Sequence, residues 1–326
     1  MKTVSLISPI GGIMIEDFFV DKPSSEESKG IMEKMYHSIP ESSNGRYSLS
    51  ELRPIEEVYF DFLKRGDKLL VLRGQGEIIG HVHFGPQRDE RFSSNLSGHI
   101  YDLYVKKEYR GMGAGRTLLR SALKELKPFF QKITGNTYRF GTGWHMLKSE
   151  GFSEKRITLS TDKRLADSRT NAFEIFRGLP EDLGKVFVEI SSSPSLVENQ
   201  LQMTSSELFF NLNEIMDSGG RILICRQDEE TVGVLIYSVF EDIMTYSLLG
   251  SIEFVFVSKR FRRMGIGRNL LYFLNEYLSI SGVEESFFEC AFESDYHLWS
   301  EAIGMKEFSV LLEKKLGNQE ENRIFR

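Results

Sequence analysis

One pattern, written twice, constrains this chain more than any other feature. Residues 99–126 read HIYDLYVKKEYRGMGAGRTLLRSALKEL. The first seven are rich in β-branched and aromatic side chains, as a strand requires. A basic turn, residues 106–110, leads into Gly111, Gly113 and Gly115. Leu118, Leu119, Ala122, Leu123 and Leu126 then recur at helical spacing and form one apolar stripe. Strand, glycine loop and helix start together make an anion-binding device. Glycine lets the backbone approach a ligand, the first helical N–H groups have no internal partner, and the helix dipole adds partial positive charge.

Residues 252–278, IEFVFVSKRFRRMGIGRNLLYFLNEYL, repeat the device. Val105 and Val257, Arg110 and Arg262, and Gly113 and Gly265 are each 152 residues apart. Leu118, Leu119, Ala122 and Leu126 correspond at the same offset to Leu270, Leu271, Leu274 and Leu278. A spacing held through strand, loop and helix is an internal repeat, and its length is that of a domain rather than a solenoid unit. At 326 residues the chain has room for two such domains, each with its own core. The expected boundaries are 1–162 and 170–317, with a polar linker at 161–169 and a polar tail at 318–326.

Composition narrows the guests of these loops. A net charge of −6 argues against general nucleic-acid binding, which needs a basic field. Two basic clusters stand against that background, and both flank the loops. One is Lys106, Lys107, Arg110 and Arg116; the other is Lys259, Arg260, Arg262, Arg263 and Arg268. Basic residues in a turn are ordinarily a solvated surface, but their recurrence beside both loops favours a small polyanionic cofactor. The two cysteines, Cys225 and Cys290, form no disulfide framework and no zinc spacing. Pro9, Glu16 and Asp17 interrupt the only apolar N-terminal stretch, and no apolar run is long enough for a bilayer. The expected setting is the cytoplasm, without nucleic acid or membrane as partner.

The first copy reads as a strand over 10–20, helices over 24–38 and after Pro54, and a hairpin of 68–73 with 77–84. The organising strand and its helix follow, then an indistinct segment punctuated by Pro128 and Gly135. A short helix over 142–150 and a last strand near 155–160 complete it. The second copy repeats the order: strand 172–176, helices 180–190 and 205–216, hairpin 221–226 with 231–240, and strand 251–257 entering the second loop. Strand 286–290, helix 295–302 and a strand to residue 312 close it.

Known glycine-loop patterns discriminate the chemistry. A dinucleotide fingerprint needs Gly-x-Gly-x-x-Gly, but Leu118 and Leu270 stand at the third glycine, and starting from Gly111 puts Arg116 there. A P-loop needs Gly-Lys-Ser/Thr, which neither loop supplies. What remains is Arg110-Gly111-Met112-Gly113-Ala114-Gly115 and Arg262-Arg263-Met264-Gly265-Ile266-Gly267. In this hexapeptide, with its strand before and helix after, the chain resembles the GNAT superfamily of acyl-CoA-dependent N-acyltransferases. The resemblance covers nearly the whole chain as two copies. It implies an α/β (α+β) architecture of two tandem GNAT-like domains, each a mixed, mostly antiparallel sheet flanked by helices.

It further implies a cofactor, acetyl-CoA (coenzyme A), and direct acyl transfer to a primary amine on a small molecule or peptide. Loop amides from Gly111 to Arg116, and from Arg263 to Arg268, would hold the pyrophosphate. Strand ends at Leu103, Tyr104 and Val105, and at Val255 and Val257, would bond the pantetheine arm. The base would be a carboxylate or imidazole on the motif strand: His99 or Asp102 in the first copy, Glu253 in the second. The family's acid is a tyrosine four residues before a Gly-Phe pair. Here Leu147 precedes Gly151-Phe152 and Ser300 precedes Gly304-Met305, with Tyr296 and Trp299 nearby but out of register. A non-catalytic acyl-CoA-binding or scaffold protein is therefore the alternative, and an adenine-nucleotide enzyme a third reading. A monomer or homodimer suits two copies in one chain. His81 and His83 share a strand face without a third ligand, so they read as core or surface histidines and no metal is expected. The copy with Gly111, Asp102 and His99 is the better expected site.

Overall fold

The computed structural model describes residues 18–42, 48–55, 57, 66–88, 96–162, 173–191, 204–242, 245–283 and 285–316. The expected strand before Phe18, most of the helix after Pro54, the linker from 163 and the tail from 317 lie outside them. The first run carries β1 (Phe19–Asp21), α1 (Ser25–Ser42), β2 (Lys68–Gly74), β3 (Glu77–Arg88) and β4 (Leu96–Val105). It continues with α2 (Ala114–Leu126), β5 (Lys132–Thr137), α3 (Thr142–Ser149) and β6 (Ser153–Asp162). The second run carries β7 (Glu174–Gly178), α4 (Asp182–Ser191), α5 (Ser205–Asp217), β8 (Arg221–Gln227) and β9 (Glu230–Glu241). After them come β10 (Leu248–Val257), α6 (Ile266–Ile280), β11 (Glu285–Ala291), α7 (Asp295–Ala302) and β12 (Lys306–Lys315).

The chain divides into two compact units, one made of residues up to Lys155 with those from Val310 onward, the other of Arg156–Ser309. In the first, β1, β2, β3 and β4 run antiparallel in that order, β5 lies parallel to β4, and β12 antiparallel to β5. In the second, β7, β8, β9 and β10 run antiparallel, β11 lies parallel to β10, and β6 antiparallel to β11. Each sheet is therefore mixed and mostly antiparallel. Each is backed by the helix after its glycine loop. Ala114, Leu118, Leu119, Ala122 and Leu126 are the buried face of α2, and Leu270, Leu271, Leu274 and Leu278 bury their counterpart face of α6. Leu123 is left half-buried beside that stripe.

Two features differ from the sequence reading. The segment around Gly135 is a regular strand, β5, with Gly135 paired to Ile100. Its helical and strand signals are weak because a glycine sits mid-strand, where no side chain marks the pattern. The strand near 155–160 does not complete the first sheet. Ile157 and Leu159 join the core of the second unit with Leu235, Val255 and Leu270, while Val310–Lys315 pair with Lys132–Thr137 in the first. Both strands bury alternating apolar residues, Ile157 and Leu159 in one and Val310 and Leu312 in the other. A period-two pattern fixes the face a strand buries but not which sheet it joins.

Candidate functional site

The motif strands are shaped by bulges. His83 pairs with Asp102 and Phe84 with Ile100, so Tyr101 is the extra residue in β4. The same break leaves Glu253 as the extra residue in β10. Parallel pairing of β4 with β5 runs from Gly98↔Ile133 to Ile100↔Gly135, and β4 continues to Val105. Pairing of β10 with β11 runs from Gly250↔Ser286 to Ile252↔Phe288, and β10 continues to Val257. Beyond those registers neither motif strand is paired with its parallel neighbour among the described residues. From these pairs the offset between copies is 152 along β4 and β10 but 153 from β5 and β11 onward.

The glycine loops are built alike. A single turn of 3-10 helix, Lys107–Tyr109 or Lys259–Phe261, precedes each. Arg110 Nε donates to the Val105 carbonyl at 2.8 Å, and Arg262 Nε to the Val257 carbonyl at 3.2 Å. Each arginine thus ties its loop to the end of the motif strand. Arg110 also lies 5.7 Å from the Tyr104 ring centroid. Gly113 and Gly265 are the N-caps of α2 and α6, with φ of 86° and 83°. That conformation needs glycine, and it leaves both helix starts without a side-chain cap. By contrast α5 is closed by a Thr204–Glu207 capping box. Bare first-turn N–H groups at Ala114, Gly115 and Arg116, and at Ile266, Gly267 and Arg268, suit an anion. The second loop carries strain the first lacks. Arg263 adopts φ 68° where the first has Gly111 at 81°, a conformation costing a residue with a Cβ about 1–2 kcal/mol.

The basic clusters are partly engaged. Arg116 Nε lies 3.0 Å from Glu150 Oε1 and Lys106 Nζ 2.8 Å from Glu77 Oε2. Backbone amides, rather than these side chains, are the undivided positive feature of the loop.

The candidate bases separate clearly. His99 is buried, 3% exposed, with Nδ1 2.8 Å from Thr134 Oγ1. Burial, aided by His83, pushes its pKa down to about 3. It is a buried residue held against β5, away from solvent. Asp102 keeps its side chain 40% exposed while Oδ2 lies 2.9 Å from Nε2 of the buried His81. The His81 ring stacks on Tyr104 at 5.5 Å. His83 belongs to a second, wholly buried pair with Asp67. The sequence reading set His81 aside for want of a third metal ligand; its signal was a carboxylate rather than a metal, visible only once β3 and β4 are in register. Glu253 accepts a hydrogen bond from Ser238 Oγ. Both cysteines are buried, and that burial pushes each thiol up to about 12. Among the described residues no group of three His, Cys, Asp or Glu is arranged to hold a metal ion. No helix among them is long and apolar enough to cross a membrane.

The family model of the Acetyltransferase (GNAT) family matches this chain twice, over residues 32–134 and 187–298. The chain belongs to that family. Solved structures agree in fold. A GCN5-related N-acetyltransferase from Sphaerobacter thermophilus superposes with a TM-score of 0.57 at 15% identity, over 91% of this chain and 95% of that one. A tandem GNAT protein from the clavulanic acid biosynthesis pathway gives 0.51 at 13% identity, over 91% and 98%. The GCN5-related glucosamine N-acetyltransferase region of a fungal multi-domain GH3 β-N-acetylglucosaminidase gives 0.54 at 16%, over 91% of this chain but 38% of that one. No curated protein matches the sequence significantly.

Proposed function

We propose that this chain is an acetyl-CoA-dependent N-acyltransferase that moves the acyl group directly to a primary amine, acting in the cytoplasm as a monomer or homodimer. The observation that carries the reading is the first unit's combination of an uncapped α2 start, a β4 edge that outruns its pairing with β5, and Asp102 exposed on that same strand. Diphosphate suits the bare amides of Gly113–Arg116, and an amide-bearing arm suits the open backbone edge near Leu103. Gly143, one residue into α3, carries no side chain toward β5, and a Cβ there would meet Thr137 Oγ1 at 2.8 Å.

The donor supplies an activated acyl carbon on a thiol leaving group. Asp102 accepts the proton of the incoming ammonium, with His81 fixing the carboxylate's orientation. A backbone N–H on the open edge of β4 polarises the acyl oxygen as charge develops there. Leu147, buried at 5% exposure, replaces the family's acid. A thiol with a pKa of about 8.5, like that of cysteine, leaves as thiolate without one. Direct transfer fits the thiols of Cys225 and Cys290, which burial keeps protonated at neutral pH and therefore poor acyl acceptors.

Leu147 and Ser300 favour one second reading, an acyl-CoA-binding protein without turnover. Thiol release from acetyl-CoA with a panel of primary amines separates the two. Release matched by acylated amine, and lost in Asp102→Asn, supports the transferase; binding with no release for any amine supports the alternative.

A further inference from the structure

In the second unit an aromatic side chain lies against the motif strand just beyond its last pair with β11. Tyr296 on α7 donates its hydroxyl proton to the Val255 carbonyl at 2.9 Å. Val255 lies three residues past Ile252, the last residue of β10 registered with β11. The Tyr296 ring also meets the Phe288 ring of β11 edge-on at 6.0 Å. Tyr296 therefore stands between the two strands where they part, bonded to the backbone edge of one and packed on a ring of the other. Trp299, one turn on, closes the approach to the loop: a Cβ on Gly267 would sit 2.8 Å from its ring. By the 153-residue offset, Tyr296 matches Gly143, Trp299 matches Met146 and Phe288 matches Gly135. Met146 is indeed the side chain over the first loop, with Sδ 3.2 Å from a Cβ built on Gly115. A thioether there is narrow and adaptable; an indole is neither.

We propose that Tyr296, backed by Trp299, is a built-in occupant of the second unit's cofactor groove and restricts acyl-CoA to the first unit. The inference rests on the donor reading above and adds which copy takes the donor and which residue decides it. The phenol satisfies the strand carbonyl that an amide of the pantetheine arm would otherwise engage. An incoming arm must therefore break that bond and evict two aromatic rings already packed against the core. Arg263, in its strained conformation, leaves the adjoining loop the weaker of the two.

The test is a calorimetric titration of the full chain with acetyl-CoA, fitted for stoichiometry. The native chain should bind one equivalent, Tyr296→Phe one, and Tyr296→Gly two. In a Gly113→Glu background, which removes the first site, Tyr296→Gly should restore one equivalent from none. Hydrogen exchange on the native chain, which needs no substitution, should show acetyl-CoA protecting residues 113–116 and leaving 265–268 unchanged. Two equivalents in the native chain, protection of both loops, or a Tyr296→Gly variant that melts cooperatively yet still binds one would overturn the inference. Failure of the native chain to bind at all would overturn the donor reading instead.

Discussion

His81 Nε2 and Asp102 Oδ2 lie 2.9 Å apart on neighbouring strands, with the imidazole buried and the carboxylate half open. In the proposed mechanism the aspartate meets the acceptor and the histidine positions it. Asp102→Asn should lower kcat by about 10²–10⁴-fold, the span usual for a general base, with acetyl-CoA affinity nearly unchanged. His81→Gln should give a smaller loss and shift the pH–rate profile. Steady-state rates with a responsive amine check both; a full-rate Asp102→Asn enzyme would remove Asp102 from the mechanism.

His99 links stability to pH in a definite direction. Its folded pKa of about 3 lies below the ordinary value of 6.5 because burial opposes the charge. As pH falls below 6.5 the unfolded chain takes up the proton first, so stability present above that pH is lost progressively toward pH 3. The slope contributed is up to about 1.4 kcal/mol per pH unit. Denaturant midpoints from pH 7 to 4 should fall less steeply in His99→Gln than in the native chain.

The two glycine caps should respond unequally. Gly113→Glu places a β-carbon at φ 86° and a carboxylate at the phosphate position. Acetyl-CoA affinity should drop at least about 100-fold, or about 2.8 kcal/mol. Gly265→Glu meets the same backbone strain at φ 83°, yet should leave affinity and stoichiometry as they are, because Tyr296 already fills that unit's groove.

The exchanged strands give a prediction that separates sequence from structure. Leu159 precedes the linker, yet it is fully buried in the core of the second unit. Leu159→Ala should cost about 2–5 kcal/mol. Hydrogen exchange should quicken in β8, β9 and β11 while β2 and β3 keep their protection. Faster exchange in β2 and β3 alone would contradict the pairing.

Much of this was legible in the chain itself. The repeat, the apolar stripes of α2 and α6, the hairpins and the short helix α7 follow from periodicity and glycine placement, signals local in sequence. Three things were not. β5 hid behind Gly135, although the second copy's Ser286–Cys290 strand marked its place. The destination of β6 was hidden because Ile157-x-Leu159 and Val310-x-Leu312 present the same alternating pattern. The role of Tyr296 was hidden by one residue: the offset changes from 152 to 153 between the glycine-loop helix and the following strand. Aligned with a constant spacing, Tyr296 faces Trp144, and the Gly143 opposite it goes unseen. His81 was passed over for a similar reason, since its partner Asp102 lies on a different strand.

The central claim is a single acetyl-CoA site, in the first unit. Titrating the native chain with acetyl-CoA tests it most directly, with Gly113→Glu and Gly265→Glu measured alongside. One equivalent per chain, abolished by the first substitution and untouched by the second, is the expected result. Two equivalents, none, or loss of binding in Gly265→Glu alone would contradict it.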